Sequence, residues 1–331
     1  MTQFDKRNLS MMMDFYEMTM SYGYFRQPRS DVRVAFDLFF RAVPDRGGYA
    51  IFAGLEHVIE FVENLSFSDE DIEYFRRQNL FSEEFLQFLR DFRFRGDVYS
   101  IPEGTVIYPD EPLMTIVAPV IDAQLVETAI LTQINHQSLV ATKASRIVRA
   151  AEGRGISDFG ARRAHNMDAA TYGARAAYIG GVDMTATVSA GQQFGIPISG
   201  TMAHSWVMFF EDEFTAFKSY AEIYPHATVL LVDTYDVVHS GVPNAIRTAH
   251  EILEPMVRID SGDLAYLSKR IRKMLDNEGL TDCKIILSNS LDEFTISSLL
   301  LQGAQVDSFG VGERLITAKS DPVFGAVYKL V

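Results

Sequence analysis

The sequence predicts an α/β barrel of the TIM type preceded by a smaller α+β domain, and three observations carry that prediction. Short apolar runs recur at 156–160, 181–184, 196–201, 229–232, 257–259, 284–287 and 306–311, separated by helix-compatible sequence, as in successive βα units. Each run ends in polar residues: Arg162-Arg163, Asp183, His204-Ser205, Asp233-Thr234, Asp260-Ser261-Gly262-Asp263, Ser288-Asn289-Ser290, and Gly310 with Gly312. The loops that follow barrel strands form a single mouth, so seven such ends converge there, whereas a doubly wound sheet gathers only a few. The first 120 residues or so lack this rhythm, being aromatic-rich and irregular. The expected division is therefore 1–120 for the α+β domain and 121–331 for the barrel.

Taken in order, residues 11–24 read as a helix, and 32–40 alternate like a strand with Val32, Val34, Phe36 and Leu38 on one face. Apolar residues recur at helical spacing over 55–65, and 97–118 read as short strands broken at Pro102-Glu103-Gly104 and Pro109-Asp110-Glu111-Pro112. Asp122 is the expected N-cap of a long helix running through Ile130 and Ile147 to Gly153, at the domain boundary.

Composition narrows the function classes. With 30 basic against 44 acidic residues the net charge is −14, so nothing general in the charge favours nucleic acid or an anionic membrane, and any bound anion must be held by a local cluster. The single cysteine, Cys283, excludes an intrachain disulfide and a cysteine zinc site and fits a reducing compartment. No run of about 18 apolar residues is present, and residues 1–10 are polar and mixed in charge. A cytoplasmic protein is expected, with no nucleic acid and no membrane among its partners.

The chemistry concentrates at the strand ends. His204 follows an apolar run, and Asp233 ends the next one; neighbouring strand ends of a barrel lie within hydrogen-bonding reach, where a carboxylate fixes the tautomer of an imidazole and leaves its other nitrogen nucleophilic. Asp236 competes for that role, and Asp233 is alternatively a helix N-cap. In Arg258-Ile259-Asp260-Ser261-Gly262-Asp263, alternation puts Arg258 and Asp260 on one side of the strand. That pair suits a diphosphate and a ribose diol, the guanidinium forking onto phosphate oxygens and the carboxylate taking hydroxyls or Mg²⁺. A buried ion pair beside a helix cap is the alternative. Gly310 and Gly312 offer backbone amides to a phosphate, Ser288 and Asn289 add donors, and a simple turn explains the glycines equally. Arg162 and Arg163 suit a carboxylate ligand with Phe159 stacking on a flat ring, unless they are solvated surface arginines. There is no HExxH motif and no nucleophile elbow.

Together these strings resemble the nicotinate phosphoribosyltransferase family. The resemblance runs through Asp14-Phe15-Tyr16, Phe159-Gly160-Ala161-Arg162-Arg163, Gly180-Gly181-Val182-Asp183, Gly200-Thr201-Met202-Ala203-His204-Ser205, Asp233-Thr234-Tyr235-Asp236, Arg258 to Asp263, and Val327-Tyr328-Lys329-Leu330-Val331. It implies an irregular TIM-like α/β barrel beside an α+β domain, working as a homodimer with composite sites. It also implies the reaction: nicotinate and phosphoribosyl diphosphate give nicotinate mononucleotide and diphosphate for NAD synthesis, with ATP hydrolysis coupled through a phosphohistidine. By motif position that histidine is His204, oriented by Asp233. The same resemblance implies that Arg258, Asp260, Ser261, Gly262, Ser288 and Asn289 meet phosphoribosyl diphosphate, with Asp260 and Asp263 on Mg²⁺ and Gly310 and Gly312 at the 5′-phosphate. Phe159, Arg162 and Asp183 are implied as the nicotinate pocket, completed by Tyr16 of the neighbouring subunit. Members of the family continue past the last motif, so a C-terminal truncation is expected.

Three rivals remain at this level. Nicotinamide or quinolinate is the substrate of related enzymes, and Asp183 is able to accept from an amide. A phosphate-binding barrel aldolase or isomerase calls for a lysine or catalytic glutamate at a strand end, and none of the seven ends has a lysine. A catalytically silent scaffold is the non-enzyme alternative, opposed by the intact His204, Arg258 and Asp260.

Overall fold

The computed structural model describes residues 8–251 and 255–331. The chain divides into two compact units, the described residues up to Thr142 together with Asp321–Val331, and Lys143–Ser320. The division thus falls inside the long helix Glu127–Ala150 rather than at 120, and the C-terminal strand returns to the first unit.

In the first unit, β1 (Arg33–Phe40) buries alternate residues Phe36, Leu38 and Phe40, as its period-two pattern requires. Strands β2 (Ala50–Ile51), β3 (Asp97–Ser100), β4 (Val106–Ile107) and β5 (Met114–Pro119) follow. β1 pairs antiparallel with β5 on one side and with the last strand of the chain, Ala326–Leu330, on the other, and β5 pairs with β3. Stacked rings fasten the returning strand, Phe36 on Tyr328 at 4.6 Å and Phe40 on Phe324 at 4.8 Å.

Two expected helix starts move. The helix expected over 11–24 is Phe15–Phe25, because Asp14 caps it in a capping box with Glu17. Asp122 is not an N-cap: it lies inside the short helix Val120–Gln124 with its carboxylate buried against the Arg95 guanidinium at 2.8 Å. Pairing a buried charge outweighs capping at that position.

Glu17 is itself fully buried. Its Oε1 accepts the Thr128 amide at 3.0 Å, the Asp14 amide at 3.4 Å and the Thr128 hydroxyl, while Oε2 has no partner. Burial pushes its carboxyl from the ordinary 4.5 up to about 7, the hydrogen bonds opposing. A carboxyl whose pKa is raised by folding stabilises the protonated form, so stability is full below 4.5 and falls as pH rises to about 7. Glu17→Gln should remove that fall, worth about 3 kcal/mol. Thermal melts of both proteins at pH 5 and pH 8 check it, and an identical pH slope in the variant contradicts it.

Among the described residues the second unit holds six parallel strands, β6 (Gly155–Asp158), β7 (Met184–Thr185), β8 (Val229–Leu231), β9 (Met256–Ile259), β10 (Lys284–Ser288) and β11 (Ser308–Val311). Their order is β7-β6-β11-β10-β9-β8, so the first βα strand lies beside the last. Among the described residues the seventh expected strand, 196–201, makes one bridge, from Ile198 to Thr185 of β7. The strands therefore follow the cyclic order of a barrel, but among the described residues no ladder joins Ile198 to β8. The expected barrel is observed as a mixed α/β unit around a parallel sheet with one open seam, because Pro197 and Gly200 interrupt the segment that would close it. Among the described residues no helix is long and apolar enough to cross a membrane.

Candidate active site

Within the second unit the C-terminal strand ends surround a cavity of about 260 Å³, lined by Phe159, Ala161 and Arg162 after β6, Ala186 after β7, Gly200 to His204, Leu231 of β8, Arg258 of β9, and Asp260. Parallel strands bring their carboxyl ends to one side, which is why residues from 159 to 260 meet here.

His204 opens the helix His204–Phe209, and its Nε2 lies 3.2 Å from Asp233 Oδ1. The imidazole is 41% exposed and the Asp233 carboxylate fully buried, so the histidine is reachable while its partner is fixed. Asp233 Oδ2 is held in turn by the Asp260 amide at 3.0 Å and the Ser261 hydroxyl at 2.5 Å. His204 Nδ1 has no hydrogen-bond partner among the described residues. Asp236, the competitor, is used elsewhere: its Oδ1 accepts the amides of Val238 and His239 at 2.9 and 2.8 Å, capping the π-helical turn Val237–Gly241.

Arg258 and Asp260 share one side, as alternation requires. The guanidinium donates from Nη2 to Asp260 Oδ1 at 2.8 Å, from Nε to Ser288 Oγ at 2.9 Å and from Nη1 to Thr201 Oγ1 at 2.7 Å. Among the described residues three of its five N–H groups are thus committed, which leaves two for a ligand. Ser288 is buried and donates to Asp260 Oδ1 at 2.5 Å, while Asp260 Oδ2 makes no hydrogen bond among the described residues. The ion pair expected as an alternative is present, and it opens onto the cavity.

The remaining candidates separate. Arg162, on the turn Ala161–Arg163, and Phe159 both line the cavity. Gly310 lies inside β11, and the Phe159 ring covers it: a Cβ there would stand 2.4 Å from that ring. Its lack of a side chain therefore seats Phe159, which also faces the Arg258 guanidinium at 5.4 Å. Gly312 precedes the helix Glu313–Ile316. Asn289 and Ser290 both take left-handed backbone, with φ of 94° and 48°, in an exposed loop after β10. Gly262 also has positive φ, and Asp263 caps the helix Leu264–Asn277 through the Tyr266 amide at 3.0 Å.

Asp183 is not brought to the cavity. It precedes β7, and its Oδ2 accepts the Ile156 amide at 2.8 Å near the start of β6, at the opposite end of the strands. Tyr16 lies in the first unit, exposed on Phe15–Phe25, with its hydroxyl pKa raised by burial and by Glu127. Thr201 also lines the cavity, and the sequence alone does not mark it: it sits inside the Gly200 to Ser205 string, but its partner Arg258 is remote in sequence.

Among the described residues no group of three or more His, Cys, Asp or Glu side chains is arranged to hold a metal. The free Asp260 oxygen suits an ion such as Mg²⁺ that takes one carboxylate and draws its other ligands from substrate phosphates and water.

Comparison with known proteins follows the same lines. Residues 11–135 match the nicotinate phosphoribosyltransferase (NAPRTase) N-terminal domain, and 155–330 match the nicotinate phosphoribosyltransferase (NAPRTase) family. The nicotinate phosphoribosyltransferase of Bacillus subtilis is 49% identical over 332 residues, covering 99% of this chain and 68% of that protein. The structure of human nicotinic acid phosphoribosyltransferase matches with a TM-score of 0.86 at 29% identity, over 97% of this chain and 74% of that one. The nicotinate-nucleotide pyrophosphorylase of Pyrococcus furiosus matches with a TM-score of 0.79 at 26% identity, over 100% of this chain and 78% of that one.

Proposed function

The chain belongs to the nicotinate phosphoribosyltransferase family, and from that premise we propose that its cavity joins nicotinate to phosphoribosyl diphosphate in a cytoplasmic, ATP-coupled reaction of NAD synthesis. The observation that carries the proposal is the convergence, in one cavity, of the His204–Asp233 pair with the Arg258–Asp260–Ser288–Thr201 network. In the transfer, the pyridine nitrogen bonds to the anomeric carbon, the bond from that carbon to diphosphate oxygen breaks, and diphosphate leaves with the electron pair. Nicotinate needs no base for this. The work of the protein is to hold the two reactants in line and to neutralise charge on the leaving group. The two uncommitted N–H groups of Arg258, Asn289 and the backbone around Gly310 and Gly312 are assigned to the phosphates, and Ser261 and Gly262 to the turn beside them. Asp260 would take ribose hydroxyls or Mg²⁺, which supplies charge neutralisation on diphosphate when bound.

His204 serves the coupling to ATP. Asp233 holds the proton on Nε2, so Nδ1 carries the free lone pair. Attack of Nδ1 on the terminal phosphorus of ATP forms an N–P bond and expels ADP, and hydrolysis of that bond later restores the imidazole. Phe159 and Arg162 form the pyridine end, with Tyr16 of a second copy completing it in a homodimer.

The structure bears on the choice among pyridines. Asp183, the group able to accept from an amide, is away from the cavity, whereas Arg162 lines it, which favours an acid over nicotinamide. Turnover compared on nicotinate, nicotinamide and quinolinate tests this, with nicotinate expected to lead and preference for either other pyridine contradicting the assignment. Arg162→Ala should raise KM for nicotinate about 10- to 150-fold, the loss of one charge-assisted hydrogen bond, with KM for phosphoribosyl diphosphate little changed. Equal weakening of both would give Arg162 to the phosphates.

A further inference from the structure

Asp158 ends β6, and its carboxylate is fully buried beside the loops that line the cavity. Its Oδ1 accepts the Gly160 amide at 2.8 Å, and its Oδ2 accepts the Thr185 hydroxyl, also at 2.8 Å. Thr185 Oγ1 accepts the Thr187 amide at 3.0 Å, and the Asp158 carbonyl accepts the Ala186 amide at 2.8 Å. One residue thereby fastens two loops to each other. The first carries Phe159, Ala161 and Arg162, and the second carries Ala186.

No cation touches this carboxylate among the described residues, and burial raises its pKa above the usual range despite the two donors. Two other buried carboxylates of the same unit are paired with cations, Glu293 with Lys143 at 2.8 Å and Asp292 with Arg314 at 2.5 Å, while buried Glu213 accepts from Ser240 and Asn244. Burying an uncompensated acid is costly, so the position is explained by what it orders rather than by the stability it adds. What it orders is the turn Ala161–Arg163: Gly160 has no room for a side chain, since a Cβ would meet Ile316 at 2.6 Å, and its amide is fixed by Asp158.

We propose that Asp158 is a positioning residue for the pyridine end of the site, holding Phe159 and Arg162 in register through the Gly160 amide and the Thr185 hydroxyl. The proposal rests on the reading of Phe159 and Arg162 as the nicotinate pocket. It adds a group that never touches substrate yet sets how well the acid is bound.

The test is steady-state kinetics and thermal melting of Asp158→Ala, Asp158→Asn and Thr185→Val beside Arg162→Ala. Displacing a binding loop by an ångström is worth up to about 100-fold. Asp158→Ala should accordingly raise KM for nicotinate about tenfold or more, with KM for phosphoribosyl diphosphate within about twofold. Asparagine can still accept from the Gly160 amide and donate to Thr185 Oγ1, so Asp158→Asn should recover nicotinate KM to within about threefold of the parent. If Asp158→Ala does not fold, Thr185→Val decides: it removes the side-chain link to Asp158 and the acceptor of the Thr187 amide, leaves the Ala186 amide on the Asp158 carbonyl, and should raise nicotinate KM about three- to tenfold. A folded Asp158→Ala or Thr185→Val with unchanged nicotinate KM overturns the proposal. So does a parallel rise in both KM values, or an asparagine variant no better than alanine. Arg162→Ala separates the two claims: no effect on nicotinate KM removes the pocket reading and this proposal with it. A large effect there with none from Asp158→Ala or Thr185→Val removes this proposal alone.

Discussion

His204→Asn abolishes both the acid-labile phosphate transferred from ATP and the stimulation of turnover by ATP, while slow ATP-independent transfer survives. In the pair at 3.2 Å, Asp233 is buried and doubly hydrogen-bonded on Oδ2, so it fixes which imidazole nitrogen carries the proton. Asparagine keeps a donor for Asp233 Oδ1 and so spares the fold, but it has no nitrogen lone pair able to attack phosphorus. The transfer step itself needs no histidine, because the pyridine nitrogen is already nucleophilic. Labelling with γ-phosphate-labelled ATP checks this directly, and label persisting in the variant would place the phosphate on another residue.

Asp260→Asn should lower kcat about 100-fold or more with nicotinate KM within a few-fold, because an interaction made mainly in the transition state acts on turnover rather than on ground-state binding. The geometry also gives Asp260 a structural duty, since Oδ1 accepts from Arg258 and Ser288. If that duty were its whole role, losing the charge would leave Arg258 uncompensated and destabilise the protein by about 3 to 5 kcal/mol, with surviving enzyme turning over almost normally. The free Oδ2 favours the first outcome. Melting temperature and kcat on one purified variant distinguish them, and a destabilised but fully active enzyme contradicts the catalytic role.

Much of this site was legible because period-two alternation is local. Arg258 and Asp260 needed only the strand between them, and His204 with Asp233 needed only successive βα units. What escaped depends on sheet order and strand bounds. Asp183 reads as a strand end, yet the strand begins after it, which leaves the side chain at the opposite end of the strands. Gly310 reads as part of a loop but lies within β11, where it admits the Phe159 ring. Thr201 and Asp158 find partners across neighbouring elements, Arg258 and Thr185, and no short window of sequence contains both members of either pair. The open seam beside 196–201 was hidden for a related reason: an apolar run predicts a buried segment, not the ladder that would close a ring.

The proposed site around His204, Arg258 and Asp260 should perform phosphoribosyl transfer to nicotinate. The direct measurement is incubation of the purified chain with nicotinate, phosphoribosyl diphosphate and Mg²⁺, with and without ATP, followed by quantification of mononucleotide and diphosphate. The expected result is nicotinate mononucleotide and diphosphate in equal amounts, formed faster with ATP; no mononucleotide from folded protein at saturating substrates would contradict it.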